Sequence, residues 1–255
     1  MPVTVDVLRV FTRDGEGGNH LGVVSELEEL DTAAMQAIAH GLGFSETVFL
    51  DPAAVSPFVR IFTPAAELPF AGHPLVGTAW WLAGRGRSEV VLRCGVGPVR
   101  SRREAGLTWI DVPSDQRVVP SGLDPPGWPA VVEAWEVRMP LRYHLLRLGS
   151  PAEVAELAVP EPPLAEVMAW AWVDPERSVK ARFFAPGVGV PEDPATGSAA
   201  VALAALLRHT GRPQGELVVL QGDEMGAPST IHLRWVPSTT SIGGVVVAGG
   251  TRAWP

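Results

Sequence analysis

Apolar and polar side chains alternate along VTVDVLRVF, residues 3–11, a β-branched run that predicts a strand. The loop RDGEGGN separates it from a second short strand, LGVVS. In DTAAMQAIAHGLG the period becomes helical: Met35, Ile38, Ala39 and Leu42 make one apolar face. Asp31 or Thr32 is placed to cap that helix, and Gly41 or Gly43 to stop it. SETVFLD and PFVRIF return to strand patterning, LVGTAWWLAG reads as a buried helix, and SEVVLRC, GPVRSRR and LTWIDV read as a meander. Residues 113–130, PSDQRVVPSGLDPPGWPA, are dense in proline and glycine and make the candidate linker. From there to about Pro163 the chain is apolar and proline-rich but weakly periodic. Beyond it AWAWV and VKARFF predict strands and Ser198–Leu207 a helix, while ELVVLQG, STIHLRWV and GGVVVAGGTR predict a closing set of strands.

An internal repeat organises this pattern. Arg60-Ile61-Phe62-Thr63-Pro64 resembles Arg182-Phe183-Phe184-Ala185-Pro186, and each is soon followed by E-x-P-x-x-G. Glu67 to Glu192 and Gly72 to Gly197 are each 125 positions, and each copy then runs into an apolar helix rich in small residues. Two equivalent halves, each a strand, a turn and a buried helix, are the simplest reading.

Composition narrows the function classes. With 255 residues, 46% hydrophobic and 19% charged, the chain is long and apolar enough to bury a sizeable core. The net charge of −8 and a single lysine, Lys180, oppose binding to nucleic acid or an anionic membrane. The first residues have no continuous apolar run of the signal-peptide kind. The longest apolar run, Ala199–Leu207, is far short of the ~20 residues that span a bilayer. A cytoplasmic location is the expectation. Cys94 stands alone, and the six histidines are scattered without H-E-x-x-H, so neither a disulfide nor a metal site is expected. The sequence also lacks a Walker loop, a Rossmann G-x-G-x-x-G and a G-x-S-x-G elbow. Trp80 and Trp81 fall within the buried-helix pattern and read as core.

The candidate chemistry lies at the two helix starts. Gly72 precedes His73-Pro74, with the proline suited to a first helical position, and Gly197 is flanked by Thr196 and Ser198, either of which can cap. A first helical turn offers unpaired N–H groups and the positive end of a dipole, which suit a carboxylate or phosphate. If the halves face each other, two such ends converge on one crevice; otherwise they are ordinary caps. Glu46 has two readings as well. Buried between Phe44 and Val48 it is a proton carrier near neutral pH; facing solvent it is the end of a strand.

Five stretches resemble the phenazine-biosynthesis PhzF-like family, which shares the diaminopimelate epimerase fold. They are VFTRDGEGGNHLGVV, GFSETVFL, RIFTPAAELPFAGHPLVGTA, RFFAPGVGVPEDPATGSAAVAL, and QGDEMGAPSTI followed by GGVVV. Together they cover most of residues 1–112 and 181–247, and FAGHP and EDPATGSA are the most specific among them. The resemblance implies an α/β (α+β) fold of two pseudo-symmetric domains, each a mixed β-barrel around a central helix. Those domains are expected over residues 1–116 and 117–255, with the last strand free to pack back on the first domain. It also implies isomerisation by proton transfer without a cofactor, in the cleft between the domains, and a homodimer.

Carried over residue by residue, Glu46 looks like the general acid/base, with His73, Asp193 and Ser198 as its supporting catalytic residues. The amides of Gly72-His73 and Gly197-Ser198 would hold a substrate carboxylate or the charge that develops on proton removal. Asn19 matches the asparagine of the family's first loop. Two positions depart from the pattern: His20 stands where the family has proline, and Ala227 where an arginine is common. Substrate choice is expected to differ there. The expected partner is a small carboxylate-bearing molecule. A two-cysteine racemase on the same fold is excluded, because Cys94 is at neither helix start. A non-catalytic protein that binds a small anion in the same crevice is the alternative.

Overall fold

The computed structural model describes residues 3–27, 30–160, 166–186 and 190–254. The chain begins with β1 (Val3–Thr12), β2 (Asn19–Val24), α1 (Thr32–Leu42), β3 (Glu46–Phe49), β4 (Arg60–Phe62), β5 (Glu67–Leu68) and α2 (Gly72–Ala83). A meander follows: β6 (Val90–Cys94), β7 (Gly97–Glu104) and β8 (Leu107–Pro113). Next come β9 (Arg117–Pro120), β10 (Glu133–Arg138), β11 (Arg142–Arg147) and the short α3 (Pro151–Ala155). The chain continues through β12 (Val167–Asp174), β13 (Ser178–Ala185), β14 (Val190–Asp193) and α4 (Gly197–His209). It closes with β15 (Gly215–Gln221), β16 (Ser229–Val236) and β17 (Thr239–Trp254).

This is a mixed α/β fold dominated by sheet. β1 pairs antiparallel with β2, and α1 makes the crossover that sets β3 parallel to β2, with Leu21 opposite Glu46. β13 pairs parallel with β15 and antiparallel with β12 and β14. The long β17 ties the chain together: its first residues lie between β16 and β8, and Val245–Trp254 run antiparallel to β1.

Two helices form the centre. α4 is buried at every position from Gly197 to Leu207, and α2 at all but Trp80 and Ala83. A helix that is apolar all round belongs inside the core. α2 packs against β1, β2, β3, β6, β7, β8 and β17, and α4 against β9, β10, β11, β16 and β17. Trp81 is core, with its indole N–H donated to Asp6 Oδ2 at 2.7 Å, and Trp80 packs at the rim of the same cluster. No helix among the described residues is long and apolar enough to cross a membrane.

The repeat reappears as matched contacts. Arg60 on β4 grips Glu67 at 2.8 and 2.7 Å, and Arg182 on β13 grips Glu192 at 2.8 Å through each of two nitrogens. Each guanidinium lies 5.0 Å from a phenylalanine ring two residues on, Phe62 or Phe184. The pairs differ in burial: Arg182 and Glu192 are 5% and 9% exposed, against 27% and 38% for Arg60 and Glu67.

Asp31 caps α1 by accepting from Ala34 N at 2.8 Å, and Gly43 ends it in the left-handed region at φ 65°. The proline of α2 is not at its first position. Ala71 is the extended residue before the helix, so Gly72 and His73 form its start and Pro74 comes third, where a missing N–H still breaks no helical bond. The stretch expected as a linker contains β9, paired to β10 with Pro120 opposite Trp135 at the strand end that proline tolerates. Gly187-Val188-Gly189, within the fourth family-like stretch, lie outside the described residues.

Candidate active site

The first turns of α2 and α4 abut. A Cβ on Gly72 would lie 2.8 and 2.9 Å from the carbonyl carbon and Cα of Gly197, and one on Gly197 3.1 Å from Gly72 Cα and from His73 N. Backbone closer than 3.0 Å leaves no room for a side chain at Gly72, so that position requires glycine, while at Gly197 the contacts are tight. Gly72→Ala is expected to destabilise the fold by about 1–3 kcal/mol and to force the helix starts apart. Denaturant melts together with turnover would show both losses.

Neither helix has a side-chain cap. Thr196 precedes α4, but its hydroxyl donates to Asp193 Oδ2 at 2.6 Å instead of accepting from the helix, which corrects the capping expectation. The carboxylate is the stronger acceptor and draws the hydroxyl away. Ser198 lies inside the first turn and is also no cap. The first-turn amides of both helices therefore have no partner from their cap residues' side chains.

β3 brings Glu46 to this junction. Its side chain is only 13% exposed, so the solvent-facing reading fails. Oε2 stands 3.2 Å from His73 Nδ1, without the alignment of a hydrogen bond. Burial pushes the Glu46 carboxyl well above the usual glutamate range, and the Asp193 charge pushes it the same way. Burial drives His73 down to about 3, an effect that the His20 backbone carbonyl only partly offsets. His73 is therefore neutral at ordinary pH.

Its tautomer follows from its neighbours. Asn19 donates through Nδ2 to Asp193 Oδ1 at 2.7 Å, and the same Nδ2 lies 3.4 Å from His73 Nδ1. Taken as the donor, Asn19 makes Nδ1 an acceptor and puts the proton on Nε2, which is buried without a partner. In that tautomer Nδ1 suits a protonated Glu46; with the proton on Nδ1 it suits the carboxylate.

Asp193, 6% exposed, is the hub. Its Oδ1 accepts from Asn19 and from Ser45 Oγ at 2.9 Å, and Oδ2 from Thr196. Burial raises its pKa while these three donors oppose the rise. Burial pushes the Tyr143 phenol up, a rise that the Ser198 side chain opposes, and it stays protonated.

A narrow pocket opens between these groups. Glu46, Asp193, Thr196 and Ser198 line one side, and Phe70, Leu141, Phe183 and Val190 supply much of the apolar wall. Asn19, His73, Gly72 and Gly197 are not among the residues that line it. Ser45, Thr63, Tyr143 and Glu166 also line the pocket, although nothing in the sequence reading singled them out. Ser45 had one signal, its place beside Glu46. Tyr143, the sole tyrosine, sits in the weakly periodic middle stretch.

Neither departure lines the pocket. His20 stacks on Phe44 at 5.4 Å, and Ala227 belongs to a turn packed on Gly17 and Gly222. Cys94 is buried on β6, away from both helix starts. No group of three or more His, Cys, Asp or Glu suited to a metal occurs among the described residues.

The raised Glu46 pKa has a stability consequence. Between the ordinary glutamate value, about 4.3, and the raised one, the folded state holds a proton that the unfolded state has released. Stability linked to Glu46 is full below that window and is lost as pH rises through it. Glu46→Gln is therefore expected to melt near wild type at low pH and increasingly above it as pH rises. A gap in Tm that does not change with pH would contradict this.

Comparison with known proteins gives the class. The chain is 34% identical to an uncharacterized isomerase of Mesorhizobium japonicum, covering 88% of this chain and 87% of that one. It is 32% identical to the trans-2,3-dihydro-3-hydroxyanthranilate isomerase of Pseudomonas aeruginosa, over 97% of this chain and 96% of that one. The crystal structure of a phenazine biosynthesis protein of the PhzF family from Bacillus anthracis superposes with a TM-score of 0.85 at 20% identity, covering 100% and 99% of the two chains. The chain is an isomerase. The profile of the phenazine biosynthesis-like protein family matches residues 8–121 and 153–251, and the chain belongs to that family.

Proposed function

We propose that the chain isomerises a small carboxylate-bearing molecule by moving a proton, with Glu46 as the general acid/base. One observation carries the reading: a buried carboxyl 3.2 Å from a neutral histidine, where two uncapped helix starts meet. In its ionised form Glu46 takes a proton from a carbon made acidic by a neighbouring carboxylate, carbonyl or diene. The electron pair left behind spreads into that neighbouring group. The amides of Gly72-His73 and Gly197-Ser198 meet the growing negative charge, which they can do without reorganising. The protonated Glu46 then returns the proton to a different carbon of the same molecule.

In this scheme His73 Nδ1, 3.2 Å from Glu46 Oε2, is the neighbouring acceptor for the Glu46 proton once the two groups align. Asp193 holds Asn19 and Ser45 in place and keeps Glu46 proton-hungry by like charge. No step in this scheme calls for a cofactor. A cytoplasmic homodimer with its cleft between two domains, at about residue 117, completes the proposal and rests on the family resemblance.

The test is turnover in deuterated water over a panel of small unsaturated and amino acids. The panel includes trans-2,3-dihydro-3-hydroxyanthranilate, the substrate named for the Pseudomonas aeruginosa relative. A panel member converted by wild type, with solvent deuterium in the product, is the expected result. Equal conversion by Glu46→Gln would overturn the assignment.

A further inference from the structure

The QGDEMGAPS stretch has no part in the chemistry above, yet it touches both sides of the site. Gln221, the last residue of β15, is 1% exposed. Its Nε2 donates to the Asp193 carbonyl at 2.6 Å and to Thr196 Oγ1 at 3.1 Å, and its Oε1 accepts from Thr196 N at 3.3 Å. One side chain thus brackets the turn 193–196 at both ends. Gly222 follows with φ 83°, and a Cβ there would lie 2.7 Å from Pro194 O, so the loop lies directly against the same turn. Asp223 then accepts from Arg13 at 2.6 Å, and Pro228 O accepts from Gly18 N at 3.2 Å. Arg13 and Gly18 belong to the loop that delivers Asn19. Gln221, Gly222 and Asp223, with Pro228, therefore hold the Asp193 turn on one side and the Asn19 loop on the other.

We propose that Gln221 is a positioning residue for the reaction: it fixes the 193–196 turn so that the Asp193 carboxylate keeps Asn19 and Ser45, and through them His73 and Glu46, in register. It touches neither substrate nor the transferred proton. Its buried amide bonds three polar groups of the turn, so removing it breaks those three bonds and lets the turn relax. The proposal rests on the isomerase reading for its kinetic consequence, but its structural consequence can be measured without a substrate.

Two variants test it. Gln221→Met keeps the length and burial and deletes the amide; Gln221→Asn keeps the amide but withdraws it by one methylene. The substrate-free readout is the pH titration of the Glu46 carboxyl carbon in protein labelled with 13C-glutamate, assigned by its loss in Glu46→Gln. The charged and titratable groups facing Glu46 are His73 from α2, Asp193 from β14, Tyr143 from β11 and Glu166 just ahead of β12.

As the turn relaxes, the Asp193 charge moves off or is quenched, and Glu46 is expected to titrate lower than in wild type. On a converted panel member, kcat is expected to fall about 10- to 100-fold with KM little changed. A folded variant with an unshifted Glu46 titration and wild-type kcat would overturn the proposal. If Gln221→Met does not fold, the same two readouts on Gln221→Asn decide. Failure of wild type to turn over any compound would count against the isomerase reading and leave the titration arm to judge Gln221.

Discussion

Glu46→Gln is expected to lower kcat for proton transfer by about 100- to 10,000-fold while substrate binding changes little. The substitution keeps the shape and the burial and removes only the capacity to take and return a proton. In the proposed scheme substrate affinity comes mainly from the helix amides and the apolar wall, which the variant leaves intact. Activity of wild type is expected to rise with pH as Glu46 ionises, since the base form begins the reaction, and the raised pKa sets the midpoint above that of an ordinary glutamate. His73, neutral at ordinary pH, contributes no limb near neutrality. Paired kcat and KM measurements separate this result from a binding defect, which would raise KM and spare kcat.

The second large effect is on stability, and it comes from the repeat. Glu192→Ala strands a guanidinium that is 5% exposed, and breaking a buried pair in this way costs about 3–5 kcal/mol. Glu67→Ala removes the equivalent partner in the other copy, where Arg60 is 27% exposed, and is expected to cost about 1 kcal/mol or less. Arg182 makes the contrast larger. It also donates to the carbonyls of Ala155 and Leu157, so its displacement disturbs the end of α3 as well. Denaturant unfolding of the two variants side by side checks the difference. Equal losses would mean that burial does not distinguish the two copies.

Much of this architecture is legible in the sequence because the responsible signals are local. Period-two runs at residues 3–11 and 229–236 become β1 and β16, and the apolar helices around Leu75 and Leu203 become the two buried centres. The repeat was legible too, because each Arg–Glu pair joins residues only seven or ten positions apart. Glu46, His73, Asn19, Asp193 and Ser198 could be nominated because they lie in the stretches that resemble the family. Their geometry could not. Whether Glu46 faces solvent depends on how β3 meets the starts of α2 and α4, which residues 44–48 do not encode by themselves.

Elsewhere a stronger interaction overrode a sound local rule. Thr196 has the chemistry of a cap, but the Asp193 carboxylate competes for its hydroxyl. Pro74 suits a first helical position, but the close meeting of Gly72 and Gly197 starts the helix two residues earlier. The far wall of the pocket, with Leu141, Tyr143 and Glu166, comes from the middle stretch, where mixed proline-rich composition hides the strand period. Gln221 was visible only as part of a motif, since its three partners lie 25 to 28 positions away.

The most direct test of the account is solvent deuterium incorporation by wild type and Glu46→Gln, run side by side on the same substrate at equal occupancy and read by mass spectrometry. Label is expected in the product formed by wild type and almost none with the variant, which still binds the compound. Label entering at comparable rates with both proteins would mean that another group carries the proton, and the role given to Glu46 would be wrong.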